Sequence, residues 1–122
     1  MCIRDRFTSP HIETFEERMK VSGQMPDPQT LTSLVGELRQ RLSTASDELI
    51  DAGVTYFEVA TLLAWMYFDQ MGAELVVLET GLGGRLDCTN VCRPLVTVVT
   101  TCLLYTSPSP RDATLSRMPS SA

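Results

Sequence analysis

Glu79 is the residue whose position asks most of its surroundings. It follows the apolar run Leu75-Val76-Val77-Leu78 and precedes Thr80-Gly81-Leu82-Gly83-Gly84. A carboxylate there is costly unless it is paired, hydrogen-bonded or metal-bound. In open α/β sheets ligands gather at the carboxyl ends of the strands. Hard oxygen donors suit magnesium, which takes one or two protein groups and completes its shell with waters and phosphates. A capping or salt-bridged Glu explains the same position as well. The glycines let the backbone turn tightly and approach a ligand. They match neither GxGxxG nor a phosphate loop with Lys and Ser/Thr, so a plain strand-exit turn also accounts for them.

Asp87, Thr89 and Asn90 have the polarity to bind a heterocycle, and equally to hold their own loop through Asx-type turns. His11 is the only His in the chain and reads as a loop hydrogen-bonder without an acid–base role. Phe57 suits either a flat ligand or the core. The four cysteines, Cys2, Cys88, Cys92 and Cys102, are scattered. Two close thiols without nearby His do not make a zinc site, and free thiols in a reducing compartment are expected.

These residues need elements to position them. Ser9 and Pro10 either cap a helix or form a loop leaving a strand. Met19 to Met25 contains a short candidate strand, ended by Pro26 and Pro28. Leu31, Leu34, Val35, Leu38 and Leu42 fall at helical spacing and predict an amphipathic helix, followed by a polar helix end and loop over 43–53. Thr55-Tyr56-Phe57-Glu58 has the capping-box form. The apolar run Val59 to Phe68 then predicts a largely buried helix, with Gly72 placed to end it. Leu75–Leu78 reads as a buried parallel strand, and Leu95–Thr100 as a second strand after the glycine-rich loop. Helix, strand, loop and strand in this order suggest an open α/β sheet.

The chain has 122 residues, 43% of them hydrophobic and 20% charged. That is enough for one small domain with a core. A net charge of -5 argues against a nucleic-acid surface. No apolar stretch is long enough to span a bilayer, and the chain start is too polar for a secretory signal, so a cytoplasmic protein is expected. The two ends read differently from the middle. Residues 1–6 can be encoded by DNA whose reverse complement encodes residues 102–106. One inverted repeat thus explains both ends, the arrangement left by a transposase-type sequencing adapter. Residues 1–6 and 102–122 are therefore expected to be adapter-derived and are set aside from the fold argument.

The remaining segment, 7–101, resembles the bifunctional dihydrofolate synthase/folylpolyglutamate synthase family, a branch of the Mur ligase superfamily. The resemblance is carried by Thr8-Ser9-Pro10-His11, Glu17-Arg18, Thr55-Tyr56-Phe57-Glu58 and the run Leu78 to Val91, in matching order and separation. It implies an α/β fold, part of a Mur-ligase central ATP-binding domain with a mostly parallel sheet flanked by helices. It also implies a carbon–nitrogen ligase: ATP phosphorylates a carboxylate of dihydropteroate or of a folate glutamate tail, and L-glutamate attacks the acyl phosphate. The parent enzyme is expected to be a cytoplasmic monomer using ATP and Mg2+, with no nucleic-acid or membrane partner.

By the same resemblance Ser9 and Glu79 are magnesium ligands near the γ-phosphate. Phe57 packs on the pterin ring, and Asp87 with the backbone near Cys88 lines its polar edge. Arg18 anchors the substrate loop that begins at Ser9. Cys88 stands where the family commonly has Ala, and Thr80 replaces a frequent Val. The family's phosphate loop with its Lys, its Asp-His segment and its C-terminal domain fall outside 7–101. No catalytic or phosphate-loop residue is therefore assigned here, and the chain alone is expected to fold poorly and lack ligase activity. Two other readings compete: a sister Mur ligase of peptidoglycan synthesis, and a non-catalytic α/β binding module.

Overall fold

The computed structural model describes residues 5–45, 53–81 and 85–99. Both supposed adapter tails except Asp5 and Arg6, most of the loop after the first helix, Leu82 to Gly84 and Thr100 lie outside them. The chain divides into two compact units, Met1–Glu79 and Thr80–Ala122.

The first unit is built on a three-stranded mixed sheet of order β2-β1-β3. Strand β1 (Asp5–Phe7) is central. It pairs antiparallel with β2 (Met19–Lys20), Phe7 opposite Met19. On its other side it pairs parallel with β3 (Val76–Leu78), Phe7 opposite Leu78. The first two residues of β1 precede the segment that carries the family resemblance. Both ladders continue past Phe7: the Thr8 N–H donates to the Arg18 carbonyl at 2.8 Å, and the Glu79 N–H to the Phe7 carbonyl at 3.0 Å. Of the two options for Ser9 and Pro10, the loop is realised, with a cis peptide between them and a 3-10 turn over Phe15–Arg18. After β2 the chain reverses through Val21–Gln24, with Ser22 and Gly23 both at positive φ. Asp5 Oδ1 accepts the Ser22 N–H at 2.7 Å across that turn.

Helix α1 spans Pro28–Ser43. Its start is set by Asp27, whose Oδ1 accepts the Gln29 and Thr30 N–H groups at 2.9 Å, with Pro28 at the first helical position. Leu34 and Leu38 are buried and Leu31 and Leu42 half-buried, whereas Val35 flanks this stripe and stays 46% exposed. Helix α2 spans Tyr56–Gln70. Its capping box is built: Glu58 Oε2 accepts the Thr55 N–H at 2.8 Å, and Thr55 Oγ1 accepts the Glu58 N–H at 3.3 Å. Gly72, at φ +63°, ends it as expected. The Gly72 N–H reaches the Asp69 carbonyl and the Ala73 N–H the Phe68 carbonyl, the Schellman pattern that favours glycine at this point. Leu63, Ala64, Tyr67 and Phe68 of α2 pack with Leu34 and Leu38 of α1 and with Phe7, Met19 and Val21 of the sheet to form the core. No helix among the described residues is long and apolar enough to cross a membrane.

Two strand expectations need correction. β3 is parallel but not buried: it is an edge strand of the described sheet, and Val77 is 50% exposed. Leu95–Val99 forms no strand, and all five residues are exposed. Strand propensity measures fit to a pleated, half-buried surface. The second unit has no described strand to provide one.

Candidate functional site

The parallel β1–β3 pairing puts the carboxyl ends of both strands at one edge of the sheet. Ser9 lies two residues beyond β1 and Glu79 directly beyond β3, so the pairing brings them together. The Ser9 N–H donates to Glu79 Oε2 at 2.7 Å. Ser9 Oγ and Glu79 Oε1 make no hydrogen bond among the described residues, which leaves a hard oxygen donor on each of the two residues that this bond joins. This donor set fits a divalent cation that takes one or two protein groups and fills its shell with water and phosphate. Among the described residues no group of three or more His, Cys, Asp or Glu could hold a metal by itself.

Because β2 runs antiparallel, it starts at the edge where β1 and β3 end, and Arg18 immediately precedes it. Arg18 is buried. Its Nε donates to His11 Nδ1 at 2.9 Å, and its guanidinium carbon lies 5.4 Å from the centre of the Tyr56 ring. Phe15 completes the setting, edge-on to both His11 and Tyr56 at centroid distances of 6.3 and 6.1 Å. His11 thus orients an arginine, in keeping with the hydrogen-bonding role expected of it.

Glu17 organises the loop between Ser9 and Arg18. Oε2 accepts the Ile12 N–H at 3.0 Å, and Oε1 accepts those of Glu13 and Thr14 at 2.9 and 2.8 Å. The bond from Ile12, then those from Thr14 and Glu13, hold its carboxyl down at about 2 from the usual 4.5. Sequence reasoning assigned Glu17 no task. The signal was present in Thr14-x-x-Glu17, the same spacing as Thr55-x-x-Glu58. Tyr56 was missed as well, because nothing local links a helix-start aromatic to an arginine far upstream.

Phe57 is half-buried in the first turn of α2, its ring 5.9 Å from that of Phe7. One side of it therefore belongs to the core.

Asp87 and Cys88 lie in the second unit. Asp87 Oδ1 accepts the Thr89 N–H at 2.9 Å and Oδ2 accepts the Gly81 N–H at 3.0 Å. Asp87 therefore caps the 3-10 turn Cys88–Val91 and closes the loop from Gly81, the Asx-type local role. Asn90 Nδ2 donates to the Arg85 carbonyl at 3.2 Å, and the Cys92 thiol to the Thr89 carbonyl at 3.4 Å. Thr89 is buried and Cys88 half-buried.

No family model matches the chain. The dihydrofolate synthase/folylpolyglutamate synthase of Bacillus subtilis (strain 168) is 42% identical over 95 residues, which cover 77% of this chain and 22% of the relative. Over this stretch the relatives are dihydrofolate synthases and folylpolyglutamate synthases. Among solved family structures, the folylpolyglutamate synthase of Thermotoga maritima aligns with a TM-score of 0.67 at 33% identity, over 75% of this chain and 22% of that one. The bifunctional family enzyme of Yersinia pestis, complexed with AMPPNP and Mn ion, aligns with a TM-score of 0.61 at 34% identity, over 72% and 20%. Another bifunctional family structure holds Mn, AMPPNP and L-glutamate. The chain spans about a fifth of the length of these relatives, 22% of the first.

Proposed function

We propose that the enzyme of which this chain is a piece is an ATP-dependent amide ligase that adds L-glutamate to dihydropteroate, to folate glutamate tails, or to both. The observation that carries this reading is the meeting of Ser9 and Glu79 at the carboxyl edge of the sheet, in a chain that is 42% identical over 95 residues to a dihydrofolate synthase/folylpolyglutamate synthase. The names of the relatives supply the substrates, and the Mn and AMPPNP bound by solved family members support ATP and a divalent metal.

In this reading Ser9 Oγ and the Glu79 carboxylate hold Mg2+. Bound there, the metal neutralises charge on the phosphoryl group passing from ATP to the substrate carboxylate. The residues of the chain do the rest by placement. The Ser9 amide fixes the Glu79 carboxylate, Glu17 fixes the loop from Ile12 to Thr14, and Arg18 anchors that loop to β2 and α2. Such positioning is what the second step needs, when the amine of L-glutamate attacks the acyl phosphate and phosphate departs. By the family resemblance Phe57 is assigned to the pterin ring, and Asp87 with the Cys88 backbone to its polar edge.

Residues 7–101 are read as part of the central ATP-binding domain, flanked by adapter-derived residues, and the chain as written as inactive. Long-read sequencing of the locus tests the first point: codons for residues 1–6 and 102–122 continuous with genomic DNA would refute it. The activity is tested on the intact reading frame, expressed and supplied with ATP, a divalent metal, dihydropteroate or a folate, and labelled L-glutamate. ATP-dependent incorporation of label is expected from the intact enzyme and none from the 122-residue chain. An intact enzyme that incorporates nothing overturns the reading.

A further inference from the structure

Arg18 is only 6% exposed, and burying a guanidinium without a counter-ion is expensive. Nε is satisfied by His11 and the Tyr56 ring covers one face of the cation. A cation–π contact offsets only a small part of that cost. The terminal amino groups make no hydrogen bond or ion pair among the described residues. The adjacent Glu17 has both carboxylate oxygens turned to loop amides. Trp65 Nε1 is the one fully buried side-chain polar atom without a partner among the described residues. The unpaired amino groups of Arg18 therefore keep contact with solvent while the remainder of the side chain is buried. A side chain held by its Nε and by one face, with its terminal fork at the surface, is a preorganised oxyanion receptor.

We infer that the terminal fork of Arg18 binds a carboxylate of the substrate, and that His11 is the positioning residue that aims it. The choice of a substrate carboxylate rests on the ligase reading above, whereas the anion site rests on the surroundings of Arg18. Simple carboxylate, folate-type tail and inorganic phosphate share the required oxyanion chemistry and form separate arms of the test.

The test is chemical protection in the intact enzyme, independent of turnover. Phenylglyoxal condenses with guanidinium nitrogens, and peptide mass spectrometry gives the modification rate of Arg18 relative to exposed Arg39. The probes are acetate, p-aminobenzoyl-L-glutamate, inorganic phosphate and, as a neutral control, acetamide. We expect p-aminobenzoyl-L-glutamate to slow modification of Arg18 about threefold or more once its concentration passes about twice its Kd. Acetate should act more weakly and acetamide not at all. His11→Gln, which retains an acceptor for Nε, should keep the protection, and His11→Phe, which retains the ring, should lose it.

Equal protection by acetamide overturns the proposal. So does an Arg18 that reacts in neither condition, which would mark it as paired with a protein carboxylate outside this stretch. Protection by phosphate alone overturns the carboxylate assignment, and protection unchanged in His11→Phe overturns the role of His11. Carboxylate protection in an enzyme that incorporates no glutamate would leave the anion site standing and remove the ligase reading instead.

Discussion

The Ser9 backbone N–H and the Glu79 carboxylate meet at 2.7 Å across 70 positions of sequence, joining the ends of the two parallel strands. Glu79 is thereby a tether as well as a proposed metal ligand, and two substitutions separate these roles. Glu79→Gln keeps an oxygen for the amide and should change the stability of the intact enzyme by under about 0.5 kcal/mol. Glu79→Ala should cost about 1 kcal/mol, low in the range for charged hydrogen bonds because the pair is exposed. Both should lower metal-dependent ATP turnover about 100-fold or more, the scale of lost electrostatic stabilisation at a reacting group. Denaturant melts and ATPase assays check the two effects separately.

The loop from Ile12 to Thr14 should depend on pH through Glu17. Its carboxyl is depressed from 4.5 to about 2 by the three loop amides, Ile12 first. A depressed carboxyl contributes stability that is fully present above the unfolded value and is lost as pH falls through the folded one. The contribution of Glu17 should therefore be complete above pH 4.5 and disappear as pH falls to and through about 2. The amide resonances of Ile12, Glu13 and Thr14 should titrate together near about 2, and Glu17→Gln should abolish that titration. A midpoint at 4.5 would show the three bonds absent in solution.

Thr55 sets the start of α2, which carries Tyr56 and Phe57. Thr55→Ala removes the acceptor for the Glu58 N–H and should destabilise the protein by about 1 kcal/mol, while Thr55→Ser should be close to neutral. The same loss should lower affinity for a folate ligand, because both ring residues sit in the first turn. Thermal melts with and without ligand separate the two consequences.

Asp87 ties Gly81 to Thr89 through its two carboxylate oxygens. Asp87→Ala should free both amides, with amide exchange at Gly81 and Thr89 faster by about tenfold, the equivalent of about 1.4 kcal/mol. Asp87→Asn keeps one acceptor and should free only one of them. Hydrogen exchange read residue by residue distinguishes these outcomes.

Helix α2 was legible because its information is local: a Thr-x-x-Glu start, an apolar run and a glycine stop within eighteen residues of chain. The apolar spacing of α1 was equally plain, although Asp27, which starts it, went unread between two prolines. Leu95–Val99 shows the limit of propensity, since β-branched residues make a strand only beside another strand. The contact of Ser9 with Glu79 was inaccessible to periodicity and spacing, which carry no information about residues so far apart. Only the family resemblance brought those two residues into one site. The Arg18–His11–Tyr56 group was hidden for a related reason: it joins an irregular loop to a helix that begins 38 residues later, and a loop has no repeat to read.

The order β2-β1-β3 also carries a kinetic consequence. β1 and β2 can pair as soon as the turn between them forms, but β1 and β3 close a loop of about 70 residues. At about 5–20 residues per second of synthesis, β3 leaves the ribosome roughly 4–14 s after β1. For that interval one side of the central strand is an open edge, exposed to mispairing. The α1 and α2 segments emerge in that gap, and their packing over Phe7 and Met19 can protect the strand face before β3 arrives. The Ser9–Glu79 bond should therefore be among the last of these contacts made, so that the proposed metal site matures only when β3 has paired with β1.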